Sequence, residues 1–345
     1  MLYELIRPLL FMLEPETAHQ LSLSVLDQIH KLGVLKVARM GLPNCPTEVM
    51  GLTFPNPVGL AAGLDKNGEH ISALADLGFG FIEIGTVTPR PQFGNPMPRL
   101  FRVPQAHAII NRMGFNNHGI EAMVEHVKAA RYQGILGINI GKNADTPIER
   151  ATNDYLAGLA TVYSHASYVA VNISSPNTTN LRALQEAEAL EVLLSELKNS
   201  QKELAQLHGR YVPIALKIAP DLSPVQLSSI ADLLRRYRID AVIATNTTLD
   251  RDRVAHLPHG QESGGLSGTP LLNKSNNIIR QLHASLRGEV PIIGVGGIFC
   301  GKDAMEKIAA GAKLVQIYTS LIYRGPKVVS DCVRRLCPNV KNKPS

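Results

Sequence analysis

Short apolar runs rich in β-branched residues recur along the chain at 57–62, 81–87, 135–140, 168–173, 212–218, 241–245, 290–295 and 314–318. Each closes on small or polar residues, and none alternates strictly between apolar and polar positions. Runs of this length without alternation predict strands buried on both faces, as in a parallel sheet. Helical patterns lie between them, at 69–77, 119–130, 153–163, 187–207, 223–237, 274–286 and 301–310. The helix at 223 carries its own start signal, with Ser223 as N-cap and Pro224 in the first helical position.

Strands alternating with helices in this way predict an α/β chain folded as a (β/α)8 TIM barrel. A doubly wound sheet is the runner-up. It would normally show a glycine-rich G-x-G-x-x-G turn after its first strand, and Ala61-Ala62-Gly63-Leu64-Asp65-Lys66 stands there instead. Two connections are long. The first, 89–130, holds a candidate hairpin at 100–103 and 108–112; the second, 248–287, is rich in Gly, Ser and His. Loops that follow barrel strands lie on the catalytic face, so both are candidate substrate covers.

Residues 1–45 precede the first barrel strand and read as two amphipathic helices, near 2–12 and 15–31. Leu2, Leu5, Ile6, Leu9, Leu10 and Leu13 form a wide apolar stripe on the first. Such an extension is either a helical layer packed on the barrel or a patch that meets a membrane or a lipidic substrate. The expected division is therefore an N-terminal extension at 1–45, a barrel at 46–338 and a polar tail at 339–345.

Composition narrows the choice of partner. The net charge of +6 is scattered, without a Lys/Arg block, and the chain has no Trp, which argues against nucleic acid. Cys45, Cys300, Cys332 and Cys337 show no metal-ligand spacing and read as reduced thiols, and no metal is expected. No apolar stretch approaches the ~20 residues of a membrane span, and no signal peptide is visible. The expected location is cytoplasmic, or on the cytoplasmic face of a membrane.

The predicted strand ends carry the chemistry. In order they present Lys66, Thr86, Asn139, Asn172 through Asn177, Lys217, Thr245-Asn246-Thr247, Gly296-Gly297 and Tyr318-Thr319. With Asn111 from the long loop, asparagines gather on one face. Asn is a poor strand residue and costly to bury unless its amide is paired. Several together suit a ring with alternating N–H and C=O groups, such as a pyrimidinedione. Gly-Gly after the seventh strand, with hydroxyls after the eighth, suits a phosphorylated ligand. Lys66 and Lys217 are possible Schiff-base residues, but a lysine beside a flavin would stabilise the anionic reduced ring and fits the rest better. Ser175 is the candidate base or nucleophile, and no G-x-S-x-G elbow surrounds it.

These residues resemble a known family. AAGLDK at 61–66, GTVTPRP at 85–91, PRLFR at 98–102, NRMGFNN at 111–117, GINIGK at 137–142, NISSPNT at 172–178, KIAP at 217–220, ATNTT at 244–248, GGLSG at 264–268 and GVGGI at 294–298 are similar to class 2 dihydroorotate dehydrogenases. The resemblance implies an FMN-binding barrel that converts (S)-dihydroorotate to orotate in pyrimidine (UMP) synthesis and passes electrons to a membrane quinone. It implies FMN contacts from Ala62, Gly63, Thr86, Asn139, Asn172, Lys217, Thr245, Gly268, Gly297, Tyr318 and Thr319. It implies substrate contacts from Lys66, Asn111, Arg112, Met113, Gly114, Phe115, Asn172, Asn177, Asn246 and Thr247, with Ser175 as the catalytic base. The soluble class 1 enzymes place a Cys there. A soluble FMN barrel would need that Cys and no lipophilic extension, and a non-catalytic scaffold would need a degraded polar set.

The extension matches as well. It implies a membrane-docking cap around a quinone tunnel, with His19, Arg102 and Tyr318 near the quinone ring. The expected location becomes the inner membrane of a bacterium, peripheral and on the cytoplasmic side. One departure stands out: after Asn177-Thr178 the family usually has Pro or Ala and then Gly, whereas this chain has Thr179-Asn180. Asn can still supply a left-handed turn there.

Overall fold

The computed structural model describes residues 2–35 and 41–338, so the polar tail expected at 339–345 lies outside it, as does the side chain of Leu2. Helices α1 (Leu2–Met12) and α2 (Pro15–Lys31) come first, followed by an antiparallel hairpin of β1 (Thr47–Val49) and β2 (Leu52–Phe54). The barrel then begins with β3 (Val58–Leu60), α3 (Ile71–Ala75) and β4 (Phe81–Val87). A second hairpin, β5 (Leu100–Val103) and β6 (Ala108–Asn111), interrupts it before α4 (Ile120–Ala130). The alternation continues through β7 (Ile135–Ile140), α5 (Ala151–Val162), β8 (Tyr168–Asn172), α6 (Ala187–His208), β9 (Ile214–Ile218), α7 (Pro224–Arg236) and β10 (Ala241–Ala244). After β11 (Gly265–Gly268) come α8 (Leu272–Leu286), β12 (Ile292–Val295), α9 (Gly301–Ala309), β13 (Leu314–Ile317), α10 (Thr319–Arg324) and α11 (Lys327–Leu336).

Strands β3, β4, β7, β8, β9, β10, β12 and β13 close into one barrel, and every neighbouring pair is parallel. Closure comes from β13 against β3, with Val315 opposite Val58 and Gln316 opposite Gly59. The apolar runs behave as two-sided burial requires: all seven residues of β4 and all five of β8 are buried. Inside, large side chains face glycines. A Cβ on Gly59 would strike the Phe81 ring, and one on Gly137 would strike the Tyr168 ring. The hairpin β1–β2 plugs the N-terminal end of the barrel, with the Phe54 ring edge-on to Phe81 at 5.1 Å.

The predicted start of α7 forms in full. Ser223 Oγ accepts from Gln226 N–H at 3.2 Å, and the Gln226 side chain accepts from Ser223 N–H at 3.0 Å, a reciprocal capping box. The left-handed turn expected in the 177–182 loop falls on Asn180, at φ 56°.

Helices α1 and α2 lie on the barrel with one side pinned and the other open. Arg99 pairs with Glu16, His30 with Asp76 and His70 with Asp27, while Tyr3 and Arg7 donate to the carbonyls of Ile322 and Tyr323. Leu5, Leu9 and Met12 remain 74%, 65% and 82% exposed. The extension is therefore both a layer packed on the barrel and an uncovered apolar face.

Two features went beyond the sequence reading. Besides the helix predicted at 274–286, the long connection 248–287 holds β11, which pairs with β6 as a third antiparallel strand beside β5. Its glycines permit that approach, since a Cβ on Gly268 would run into the His107 carbonyl. The four cysteines were expected as reduced thiols; Cys300 and Cys332 are free, and Cys45 and Cys337 lie side by side with their Cα atoms 6.0 Å apart. They are separated by 292 residues, and only barrel closure brings the two ends of the fold together, so no local spacing could signal their proximity.

Candidate active site

The C-terminal ends of the barrel strands open into a cavity, as the fold predicts. Ala62, Gly63, Thr86, Asn172, Lys217, Thr245, Gly268, Gly297, Tyr318 and Thr319 line it, together with Lys66, Asn111, Met113, Gly114, Phe115, Ser175, Asn177, Asn246 and Thr247. The strand-end set therefore converges in one place. Two expected contacts do not reach its wall. Asn139 is fully buried behind Thr86, accepting from Thr86 Oγ1 at 2.6 Å and donating to Glu83 at 2.9 Å. Arg112 turns away to pair with Glu262 at 2.7 Å and lies over the Phe101 ring at 4.4 Å.

The asparagines are mutually oriented. Asn177 Nδ2 donates to Asn111 O at 3.0 Å and to Asn111 Oδ1 at 3.2 Å. Asn172 Nδ2 donates to Thr86 Oγ1 at 3.0 Å, and Asn246 Nδ2 donates to Ser174 Oγ at 3.0 Å. Ser175 is buried, and its Oγ accepts from Asn177 N–H at 3.2 Å. Asn177 Oδ1, Thr245 Oγ1 and Gln316 Oε1 are buried without a hydrogen-bond partner, and all three residues line the cavity. Buried polar atoms are nearly always paired, so this cluster of exceptions fits a polar, planar ligand that completes them.

One residue set escaped sequence reading. Glu83 sits wholly buried inside the barrel and accepts from Asn139 at 2.9 Å, Tyr168 OH at 2.8 Å and Gln316 Nε2 at 2.6 Å. Lys217 Nζ lies 3.8 Å from the same carboxylate. Burial lowers the Lys217 pKa, and Glu83 opposes that shift. A lone carboxylate within the apolar run of β4 was the available signal. Arg182 also escaped notice. It donates to Ser174 O at 3.1 Å and Thr247 O at 3.0 Å and pairs with Asp221 at 2.9 Å, tying together two segments of the cavity rim.

A second cavity, about 560 Å³, lies between α1, α2 and the barrel. Its walls are mainly apolar, with His19, Arg102 and Tyr318 among the few polar groups. Arg102 donates to the carbonyls of Leu10 and Leu13, and its guanidinium lies 4.8 Å from the Phe11 ring centroid. Burial drives the His19 pKa down to about 3, helped by Lys66, so the imidazole is neutral. Burial raises the Tyr318 hydroxyl to about 12. Lys66, Met113 and Tyr318 line both cavities.

The sequence model of the dihydroorotate dehydrogenase family matches residues 45–339. The chain belongs to the dihydroorotate dehydrogenase family. Among its relatives, the dihydroorotate dehydrogenase (quinone) of Thiobacillus denitrificans is 63% identical over 97% of this chain and 99% of its own length. That of Burkholderia cenocepacia strain J2315 is 61% identical over 97% of both chains. The crystal structure of the dihydroorotate dehydrogenase of Eimeria tenella in complex with ferulenol superposes with a TM-score of 0.84. It is 36% identical to this chain, and the match covers 94% of this chain and 90% of that one. Enzymes of the dihydroorotate dehydrogenase family are FMN-dependent oxidoreductases, and the unpaired polar atoms and the glycines at 296–297 fit that cofactor.

Proposed function

We propose that this chain oxidises (S)-dihydroorotate to orotate in pyrimidine synthesis, with FMN as hydride acceptor and a membrane quinone as final electron acceptor. The observation that carries this reading is the pair of adjoining cavities. One carries the asparagines and other polar groups, the other is almost wholly apolar, and Lys66, Met113 and Tyr318 are common to both.

In this reading FMN is held by Ala62, Gly63, Thr86, Asn172, Lys217, Thr245, Gly268, Gly297, Tyr318 and Thr319, with Asn139 acting through Thr86. The chemistry that bound FMN supplies is two-electron acceptance from the substrate carbon, followed by reoxidation. Lys217 places positive charge in the buried cavity beside Glu83, where it favours an anionic ring. Asn111, Asn172, Asn177 and Asn246 orient the dihydroorotate ring. The unpaired Asn177 Oδ1 is placed to accept a ring N–H. Lys66 and the backbone of 113–115 hold the substrate carboxylate, and Arg112 steadies that turn from outside by its pair with Glu262. Ser175 Oγ takes the C5 proton as its own hydroxyl proton leaves through a relay, because a serine is a weak base on its own. Much of the remaining rate comes from holding the reactants in register.

In the same reading the quinone enters the apolar cavity beside His19, Arg102 and Tyr318. Among the described residues no helix is long and apolar enough to cross a membrane. The exposed Leu5, Leu9 and Met12 suit peripheral docking, on the cytoplasmic side of a bacterial inner membrane. The extension expected at 1–45, described over 2–35 and 41–45, is this cap, and 46–338 is the catalytic barrel.

The test is anaerobic. The purified protein should show a flavin spectrum that bleaches on adding dihydroorotate and recovers on adding a short-chain quinone. A flavin band that ignores dihydroorotate would sink the substrate assignment, and one that bleaches without recovering would sink the acceptor assignment.

A further inference from the structure

Lys307, on α9, is fully buried, with no exposed surface. Its ammonium donates to Ser275 Oγ at 2.9 Å and to Asn276 Oδ1 at 2.9 Å, both on α8. Neither partner is an anion. Asp303, the acid that acts on it most, directs its carboxylate to the N–H groups of Phe299 and Cys300, and Arg280 opposes it. A buried ammonium without a carboxylate partner is expensive and calls for an explanation. Burial lowers its pKa to about 7.

Its position suggests what it serves. A Cβ on Gly294 would meet Lys307 Cγ at 2.6 Å and Cδ at 2.7 Å, so the lysine stem lies directly against β12. Ser275 passes the contact on, because its Oγ donates to the Val295 carbonyl at 2.7 Å. Gly296 and Gly297 follow at once, both with positive φ, and both line the polar cavity. A Cβ on Gly296 would sit 3.4 Å from Ser275 Cβ. The charge is thus stationed behind the glycine loop, separated from the cavity by one strand and shielded from solvent.

We propose that Lys307 is a positioning residue for the flavin phosphate, its charge held behind β12 by Ser275 and Asn276 so that the Gly296-Gly297 loop favours a phosphorylated flavin over the dephosphorylated one. This rests on the proposed FMN binding, with the Gly296-Gly297 loop, which the sequence marks as suited to a phosphorylated ligand, taken as the phosphate site. Protonated Lys307 in that low-dielectric wall attracts a phosphate dianion without touching it, and the dianion in turn holds the lysine in its protonated form. It also turns a destabilising buried cation into one that the cofactor neutralises.

The experiment is flavin exchange on the holoenzyme. Wild-type protein and Lys307→Met are equilibrated with mixtures of FMN and riboflavin, and the bound flavins are released and separated by chromatography. Lys307→Met should lower the FMN-to-riboflavin selectivity by about tenfold, the order expected for loss of one charge acting through protein. A lysine that only packs would weaken both flavins equally, and an unchanged ratio in Lys307→Met overturns the proposal. If that variant does not fold, Lys307→Gln removes the charge while keeping hydrogen bonds to Ser275 and Asn276, and it carries the same expectation. Thr319→Val separates the two layers of the argument. Its hydroxyl lines the cavity beside Ser267, at 2.8 Å, and its loss should also lower selectivity. If Thr319→Val shifts the ratio and Lys307→Met does not, the phosphate site stands and the role of Lys307 fails. If neither shifts it, the phosphate placement fails with it.

Discussion

Arg99 and Glu16 meet through two parallel hydrogen bonds, Nε to Oε1 at 2.8 Å and Nη2 to Oε2 at 3.0 Å, with side chains only 9% and 8% exposed. The pair fastens α2 to the loop before β5, which Arg99 also braces through the carbonyls of Phe93 and Asn95. Removing one partner leaves the other charge buried and unpaired. Arg99→Ala should therefore cost about 3 kcal/mol of stability by denaturant titration. It should also slow quinone reduction more than flavin reduction, because the lost anchor borders the apolar cavity proposed to receive the quinone. Equal slowing of both half-reactions would count against that assignment.

Ser175→Ala should retain its yellow flavin and lose roughly 10²–10⁴-fold in the rate of anaerobic flavin bleaching by dihydroorotate at neutral pH. Stopped-flow absorbance reads this directly. A bleaching rate equal to wild type would remove Ser175 from the role of base.

Lys66 gives a pH signature. Burial brings its pKa down to about 8, with Glu16 opposing and Arg99 assisting the shift. The ammonium is charged below about 8 and neutral above it. Attraction for the dihydroorotate carboxylate should then be present at pH 7 and fade as pH rises through about 8. The KM for dihydroorotate should climb over that window in wild type and stay flat in Lys66→Met. A climb of the same size in both would assign the titration to another group.

The exposed face of α1 should govern membrane affinity without governing chemistry. Leu5→Ser, Leu9→Ser and Met12→Ser combined should reduce sedimentation with anionic vesicles, while flavin bleaching by dihydroorotate in solution stays at the wild-type rate. Unchanged vesicle binding would leave the apolar face without a membrane role.

Arg182 should matter to turnover although it stands outside the cavity wall. It joins Ser174 O to Thr247 O, so Arg182→Gln should lower kcat for flavin reduction by about tenfold, as expected when reacting groups lose alignment. Flavin content should be unchanged, as measured by absorbance.

The barrel was legible because two-sided burial leaves a simple trace: β4 and β7 read as mainly apolar runs without strict alternation, and their bounds match the structure. Both N-terminal helices were legible for a similar reason, with apolar positions at helical spacing and Pro15 opening the second. The strand-end asparagines announced the cavity because no packing role suits them there. What stayed hidden depends on partners distant in sequence. Glu83 meets Gln316 across the barrel, 233 residues on. Strand β11 lies in a connection rich in Gly, Ser and His, without the apolar run that marks the barrel strands, and its small residues are what permit pairing with β6. Arg112 belongs to a matching motif, yet Glu262 captures its side chain, which no local pattern records.

Lys66, Met113 and Tyr318 are a party wall between two rooms. On the proposed reading a water-soluble acid and an oil-soluble acceptor would react through this protein without sharing a solvent. A compound that fills the apolar room should therefore leave dihydroorotate binding intact and stall the enzyme in its reduced state. Raising the concentration of dihydroorotate should not relieve such inhibition.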